Sequence, residues 1–141
     1  MNTKKTFNDF KEGELIFHRI SKTITESDNN LFCLLTMNHN PIHLNAEYAQ
    51  YSEFGKILVV GTLVFSLVVG MSVQDISFNA INLGYDKIKH LQPVFIGDTI
   101  HARTMILSKR ISKKGKGIVK VLTTGCVSGK DVIEFNRTIL C

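Results

Sequence analysis

The hydrophobic period changes several times along this chain, and each change marks an element. Glu14 to Thr23 mixes polar residues with Leu15, Ile16, Phe17 and Ile20, a composition that predicts a strand. Thr25-Glu26-Ser27-Asp28 reads as a helix start, with Thr25 as cap and Asp28 placing negative charge in the first turn. Leu31, Leu34 and Leu35 put apolar groups on one face of that helix. Asn40-Pro41 ends it near Asn38, because the residue before a proline avoids helical geometry. Asn45 to Ala49 predicts a second short helix, closed by a turn around Gly55. Ile57 to Val73 is the long apolar stretch, and within it a helix from about Val59 to Val73 is apolar on nearly every face, so the rest of the chain must wrap it. After Asn79 the pattern becomes that of strands, at 81–92, 99–110, 117–127 and 131–140. Turn signals separate them at Gly97-Asp98, Lys113 to Gly117 and Ser128-Gly129-Lys130. A strand, a buried helix and four sequential strands make an α+β plan, and an antiparallel sheet curled around one helix is its compact solution.

Composition narrows the class. Hydrophobic residues make up 44% of the 141 and charged ones 21%, the balance of a globular chain. No linker or repeat divides it, so 1–141 is expected to be a single domain. The stretch from Met1 to Phe10 is polar and lacks the apolar run of a signal peptide. Gly61, Thr62, Ser66, Gly70 and Ser72 interrupt the apolar helix, which favours a buried core helix over a membrane span. Cys33, Cys126 and Cys141 form no CxxC pair, so neither a metal site nor a disulfide framework is expected, and a reducing cytoplasm fits. The formal charge of +5 invites an anionic partner. Nucleic acid is not expected, because aromatics do not interleave with the basic residues. A small anion such as coenzyme A is served by the same field.

The candidate chemistry is concentrated in Leu35-Thr36-Met37-Asn38-His39-Asn40-Pro41-Ile42-His43-Leu44-Asn45. By pattern alone, Asn38 and Asn40 satisfy backbone groups around a proline turn and His43 starts a helix. A turn carrying two Asn, a Pro and two His directly before a helix places polar groups in a fixed loop.

Asn40-Pro41-Ile42-His43-Leu44-Asn45, followed by Ala46 and Tyr48-Ala49, resembles the motif of the MaoC-like (R)-specific enoyl-CoA hydratases, which runs Asp-x-Asn-Pro-(Leu/Ile)-His-x-Asp. The likeness continues through Phe54-Gly55-Lys56-Ile57-Leu58-Val59-Val60-Gly61 and resumes at Pro93-Val94-Phe95-Ile96-Gly97-Asp98-Thr99-Ile100, so it covers nearly the whole chain. It implies a hotdog fold, an antiparallel β-sheet wrapped around a central hydrophobic α-helix. It further implies an acyl-CoA thioester substrate, no cofactor, and a homodimer or higher homo-oligomer with substrate near the subunit interface. His43 matches the family's catalytic histidine, and Asn38 stands at its catalytic aspartate. The resemblance makes the Gly61 amide the group that meets the thioester oxygen, and Asn40, Pro41, Val60 and Thr62 substrate contacts. On its own, Gly61 is equally read as a site of helix packing.

Asn38 is a departure, because a carboxamide orients a water but cannot remove its proton. Thr36-Met37-Asn38, Ser52-Glu53-Phe54-Gly55-Lys56 and Asn82-Leu83-Gly84-Tyr85-Asp86 look like hydratases of branched, carboxylate-bearing enoyl-CoAs, the mesaconyl-CoA, β-methylmalyl-CoA and itaconyl-CoA enzymes. A substrate carboxylate would be repelled by an aspartate, and an asparagine removes that cost. Two other functions compete: thioester hydrolysis, which hotdog domains also perform, and non-catalytic acyl-CoA binding. The absence of any acidic residue from Leu58 to Gln74 counts against the hydrolase. The bland expectations are that Lys109, Arg110, Lys113, Lys114 and Lys116 form a solvated hairpin turn, that His39 faces solvent, that His18, His90 and His101 sit on strands without chemical duties, and that Cys33 packs rather than reacts.

Overall fold

The computed structural model describes residues 5–141, so the first four residues of the polar Met1 to Phe10 stretch lie outside the described region. Thr25 caps the first helix as its sequence demands: its hydroxyl accepts from the Asp28 N–H, and the Asp28 carboxylate accepts from the Thr25 N–H in return. The helix, α1, runs Glu26–Leu35. It ends in a Schellman motif, with Asn38 N–H donating to Cys33 O at 3.0 Å and Met37 N–H to Leu34 O at 3.3 Å. Met37 sits at φ 59, a left-handed conformation that costs a non-glycine residue about 1–2 kcal/mol. Two short helices follow, α2 (Pro41–Leu44) and α3 (Ala46–Gln50), capped by Asn40 and Asn45. Gly61–Ser72 is the apolar helix α4, extended by a π-helical turn over Val73–Ser77.

The chain enters the sheet as β1 (Leu15–Phe17) and β2 (Lys22–Thr23), and after α4 come β3 (Ile81–His90), β4 (Thr99–Ile111), β5 (Gly117–Val127) and β6 (Lys130–Leu140). All pairings are antiparallel, in the order β1-β4-β5-β6-β3, with β2 also on β4. Val64, Val68 and Met71 of α4 pack on Ile100, Ala102, Ile133 and Phe135 of the sheet. Gly125 on β5 makes the contact close, because a Cβ there would lie 2.6 Å from a Val68 methyl. This is the hotdog arrangement, an antiparallel sheet around one helix.

Two sequence expectations are corrected. Glu14 to Thr23 is not one strand: β1 and β2 are separated by His18 to Ser21, because His18 turns inward to donate from Nδ1 to Asp75 at 2.7 Å and to meet Thr104 through Nε2 at 2.7 Å. Leu31, Leu34 and Leu35 do not form the buried face of α1. They are 59%, 62% and 73% exposed, while Asn29 and Cys33 are the buried residues of that helix.

A second polar knot closes the far end of α4. Arg137 on β6 is fully buried and donates from Nη1 to Ser72, from Nη2 to Ser77 and from Nε to Asn82, at 2.5–2.6 Å. Burial pushes its pKa down, yet a guanidinium stays charged. Among the described residues, every buried side-chain nitrogen and oxygen has a hydrogen-bond partner. No helix among the described residues is long and apolar enough to cross a membrane.

Candidate active site

Pro41 at the first helical position and Asn40 as cap force a one-turn helix at the motif, and that turn delivers His43 inward. His43 is 9% exposed, a buried residue rather than one at a pocket mouth. Its Nδ1 lies 2.7 Å from Leu58 O. A carbonyl can only accept, so Nδ1 carries the proton and donates, which leaves Nε2 of the neutral ring with its lone pair available. Leu58 N–H donates back to Ile42 O at 3.2 Å, so the motif turn and the lead-in to α4 are paired.

That lead-in continues to Val60, which caps α4, and Gly61, its first residue. The first-turn amides of a helix have no intrahelical acceptor and point outward with the positive end of the dipole. Gly61 faces a cavity of about 90 Å³, walled by Leu58, Val64, His90, Gln92 and Val94 among others. A Cβ on Gly61 would lie 2.8 Å from His90 Cε1 and 3.0 Å from its Nε2, so the missing side chain is what admits the His90 ring.

The structure thus ties the His43 turn to the lead-in of α4 that ends at Gly61, although His43 does not wall the Gly61 cavity and joins it through Leu58. Asn38 is half buried, and its Oδ1 accepts from Asn40 N–H at 3.2 Å. Asn40 and Pro41 are exposed, and the Asn40 side chain accepts from Ile42 N–H. Thr62 is exposed one residue into α4. Val60 is core: its side chain is 2% exposed, its N–H donates to Asn29, and its carbonyl accepts from Leu63 and Val64. Both of its backbone groups are therefore occupied within the protein.

Two residues to which sequence reasoning gave no duty belong to this region. Asn29 bridges His43 O and Val60 N–H, and the available signal was a polar residue one helical turn before Cys33. His90, read as an idle strand residue, ends β3 against Gly61; nothing local in the sequence reveals it, because β3 and α4 meet only in the fold. His18 is not on a strand, His101 is exposed on β4 and His39 is exposed in its turn. Cys33 is buried with its thiol pKa raised by desolvation, the state of an inert packing cysteine. The basic hairpin at 112–116 lies at the end of β4 remote from the Gly61 cavity, and Lys109 there is held by the Phe7 carbonyl and ring.

The family model described as MaoC like domain matches residues 9–126. The chain is 31% identical over 142 residues to mesaconyl-CoA hydratase of Cereibacter sphaeroides, covering 99% of this chain and 41% of that protein. It is 33% identical over 142 residues to beta-methylmalyl-CoA dehydratase of Chloroflexus aurantiacus, covering 99% and 40%. An (R)-specific enoyl-CoA hydratase of Rhodospirillum rubrum is 36% identical over 137 residues, covering 95% and 90%. The chain thus spans about two fifths of the first two of these relatives and most of the third. Among solved structures, a MaoC domain protein dehydratase from Chloroflexus aurantiacus superposes with a TM-score of 0.93 at 33% identity, over 99% of this chain and 41% of that one. A protein described as a monoamine oxidase regulatory protein, from Archaeoglobus, gives 0.86 at 32%, over 95% and 92%.

Proposed function

Because the chain belongs to the MaoC-like domain family, we propose that it is a hydro-lyase that adds water reversibly across the double bond of an enoyl-CoA. The observation that carries this reading is His43, held in the tautomer whose Nε2 can take a proton by the carbonyl of Leu58, three residues before Gly61 opens α4. In the hydration direction, Nε2 takes a proton from water as the water oxygen bonds to the β-carbon. The π electrons move to the thioester oxygen, where the Gly61 amide and the α4 dipole stabilise the enolate. The enolate then collapses and its α-carbon takes the proton back from the His43 imidazolium, so one group serves as base and acid in turn. Asn38 orients the water.

The proposed substrate carries a carboxylate on a branched acyl chain, of the mesaconyl-CoA or beta-methylmalyl-CoA type for which two relatives are named. Two features support it. Asn38 is neutral where an aspartate would repel such a substrate, and the Gly61 cavity presents His90 and Gln92 rather than any acidic side chain. Thioester hydrolysis is disfavoured: the acid nearest after Gly61 is Asp75, roughly 20 Å along the helix axis and bonded to His18. The functional unit we propose is a homodimer of single hotdog domains in a reducing cytoplasm. Its three cysteines are free, and β3 is an edge strand whose ten residues are all exposed, Ile81, Leu83 and Ile88 among them. Such an edge is covered by pairing with a second copy. A monodisperse monomer at micromolar concentration would contradict the dimer.

Asn38→Asp tests the substrate class. At ~4 Å and an effective dielectric near 20, two carboxylates repel by roughly 4 kcal/mol before relaxation. Screening reduces this to an expected loss of about 10- to 100-fold in kcat/KM on mesaconyl-CoA, while crotonyl-CoA is tolerated or improved. Equal effects on both substrates would sink the carboxylate reading. A wild type inactive on every enoyl-CoA would sink the hydratase itself.

A further inference from the structure

We propose that Asn29 is a positioning residue that locks the His43 turn to the start of α4, holding base and carbonyl-binding amide at one spacing; this rests on the hydratase reading above. Asn29 is 0% exposed. Its Nδ2 donates to His43 O at 2.9 Å, and its Oδ1 accepts from Val60 N–H at 3.0 Å. The other ties of the motif turn run to Leu58: Leu58 N–H to Ile42 O at 3.2 Å, and His43 Nδ1–H to Leu58 O at 2.7 Å. Asn29 extends that pairing to Val60, the residue immediately before Gly61.

The choice of residue type argues for this duty. On α1 the asparagine is inside, while Leu31, Leu34 and Leu35 are outside. A site that needed only packing would hold one of the leucines. Instead it holds a planar carboxamide, which presents one donor and one acceptor side by side to a carbonyl and an N–H on two separate segments. Leucine of similar size would leave both groups buried and unpaired. An ionised aspartate would still accept from Val60 but would meet the His43 carbonyl with no proton to offer.

Asn29→Asp therefore provides a titratable test. Burial raises a carboxyl pKa, and the protonated acid reproduces both bonds, its hydroxyl donating to His43 O and its carbonyl accepting from Val60 N–H. On ionisation the donor is lost. A displacement of about 1 Å at a reacting centre costs up to about 10²-fold. We expect kcat of the folded variant to fall about 10- to 100-fold along a new alkaline limb, with KM within about threefold of the wild type at each pH, the limb being absent from the wild-type profile. Asn29→Leu should show the loss at every pH. A merely structural residue would change the melting temperature and the folded fraction without adding a limb to kcat. Folded variants with wild-type kcat throughout overturn the proposal. Should neither variant fold, the wild type decides by NMR on adding butyryl-CoA, which cannot be hydrated: the Asn29 side-chain amide should shift together with the His43 ring nitrogens. A His43 shift with a silent Asn29 amide overturns the brace. Absence of hydration by the wild type overturns the hydratase reading instead, and the NMR comparison still reads the brace.

Discussion

Replacing His43 by asparagine and by alanine separates catalysis from folding, because the two changes remove different halves of the ring. The asparagine amide nitrogen falls close to the place of Nδ1, so His43→Asn keeps a donor for Leu58 O and removes Nε2. His43→Ala removes both. Without a general base or acid, each variant should lose about 10²- to 10⁴-fold in kcat, which corresponds to roughly 3–5.5 kcal/mol of barrier. Stability should differ. His43 is 9% exposed, and alanine leaves the half-buried Leu58 carbonyl without its 2.7 Å partner, at a cost of about 1–3 kcal/mol. The space left behind adds about 1 kcal/mol or more. For a chain of this length about 1 kcal/mol moves the melting temperature by roughly 3–5 °C, so His43→Ala should melt about 10 °C lower and His43→Asn only a few degrees lower. Single-turnover hydration of crotonyl-CoA and mesaconyl-CoA, with thermal melts on the same samples, reads both quantities. Activity of His43→Asn within threefold of the wild type would refute the assignment of the base. Equal melting of His43→Ala and wild type would refute the Leu58 bond and the tautomer argument with it.

Three further outcomes follow from the geometry. Gly61→Ala should push the His90 ring aside, so it should destabilise the wild type and be nearly neutral to stability in a His90→Ala background, by thermal melt. Its activity loss should persist in both backgrounds if the thioester oxygen approaches that amide. Arg137→Leu leaves Ser72, Ser77 and Asn82 without their donor, and should cost about 1–3 kcal/mol in urea unfolding, whereas a stability equal to the wild type would contradict the knot. The bidentate hydrogen bonds from Arg103 at 3.0 Å hold Asp131 below its ordinary pKa. A depressed folded-state pKa stabilises above the unfolded value and is lost as pH falls through the folded one. Asp131→Asn should therefore be less stable than the wild type near pH 7, by under about 1 kcal/mol for this partly exposed pair, and equal to it in strong acid.

Local chemistry made much of this protein legible from residues alone. Thr25 and Asp28 fix where α1 starts, because a capping box is a contact among neighbours. Pro41 and Asn40 fix the motif turn for the same reason. The β-rich runs after Asn79 fixed four strands, and the apolar run before them fixed a helix that must be wrapped. The resemblance to a known family singled out His43, Asn38 and Gly61 as candidates without any coordinates.

What waited for the tertiary structure was every feature that depends on which distant segments meet. Period and composition cannot tell which face of α1 turns inward, since the decision rests on two backbone groups, His43 O and Val60 N–H, that only Asn29 satisfies there. They cannot show that Glu14 to Thr23 breaks at His18, because the cause is Asp75 at the end of α4. Nor can they place His90 over Gly61, because β3 and α4 come together only in the fold. Hydrogen bonds within a turn are written in adjacent residues, whereas a buried polar group takes its partner from wherever packing leaves a donor or acceptor without water.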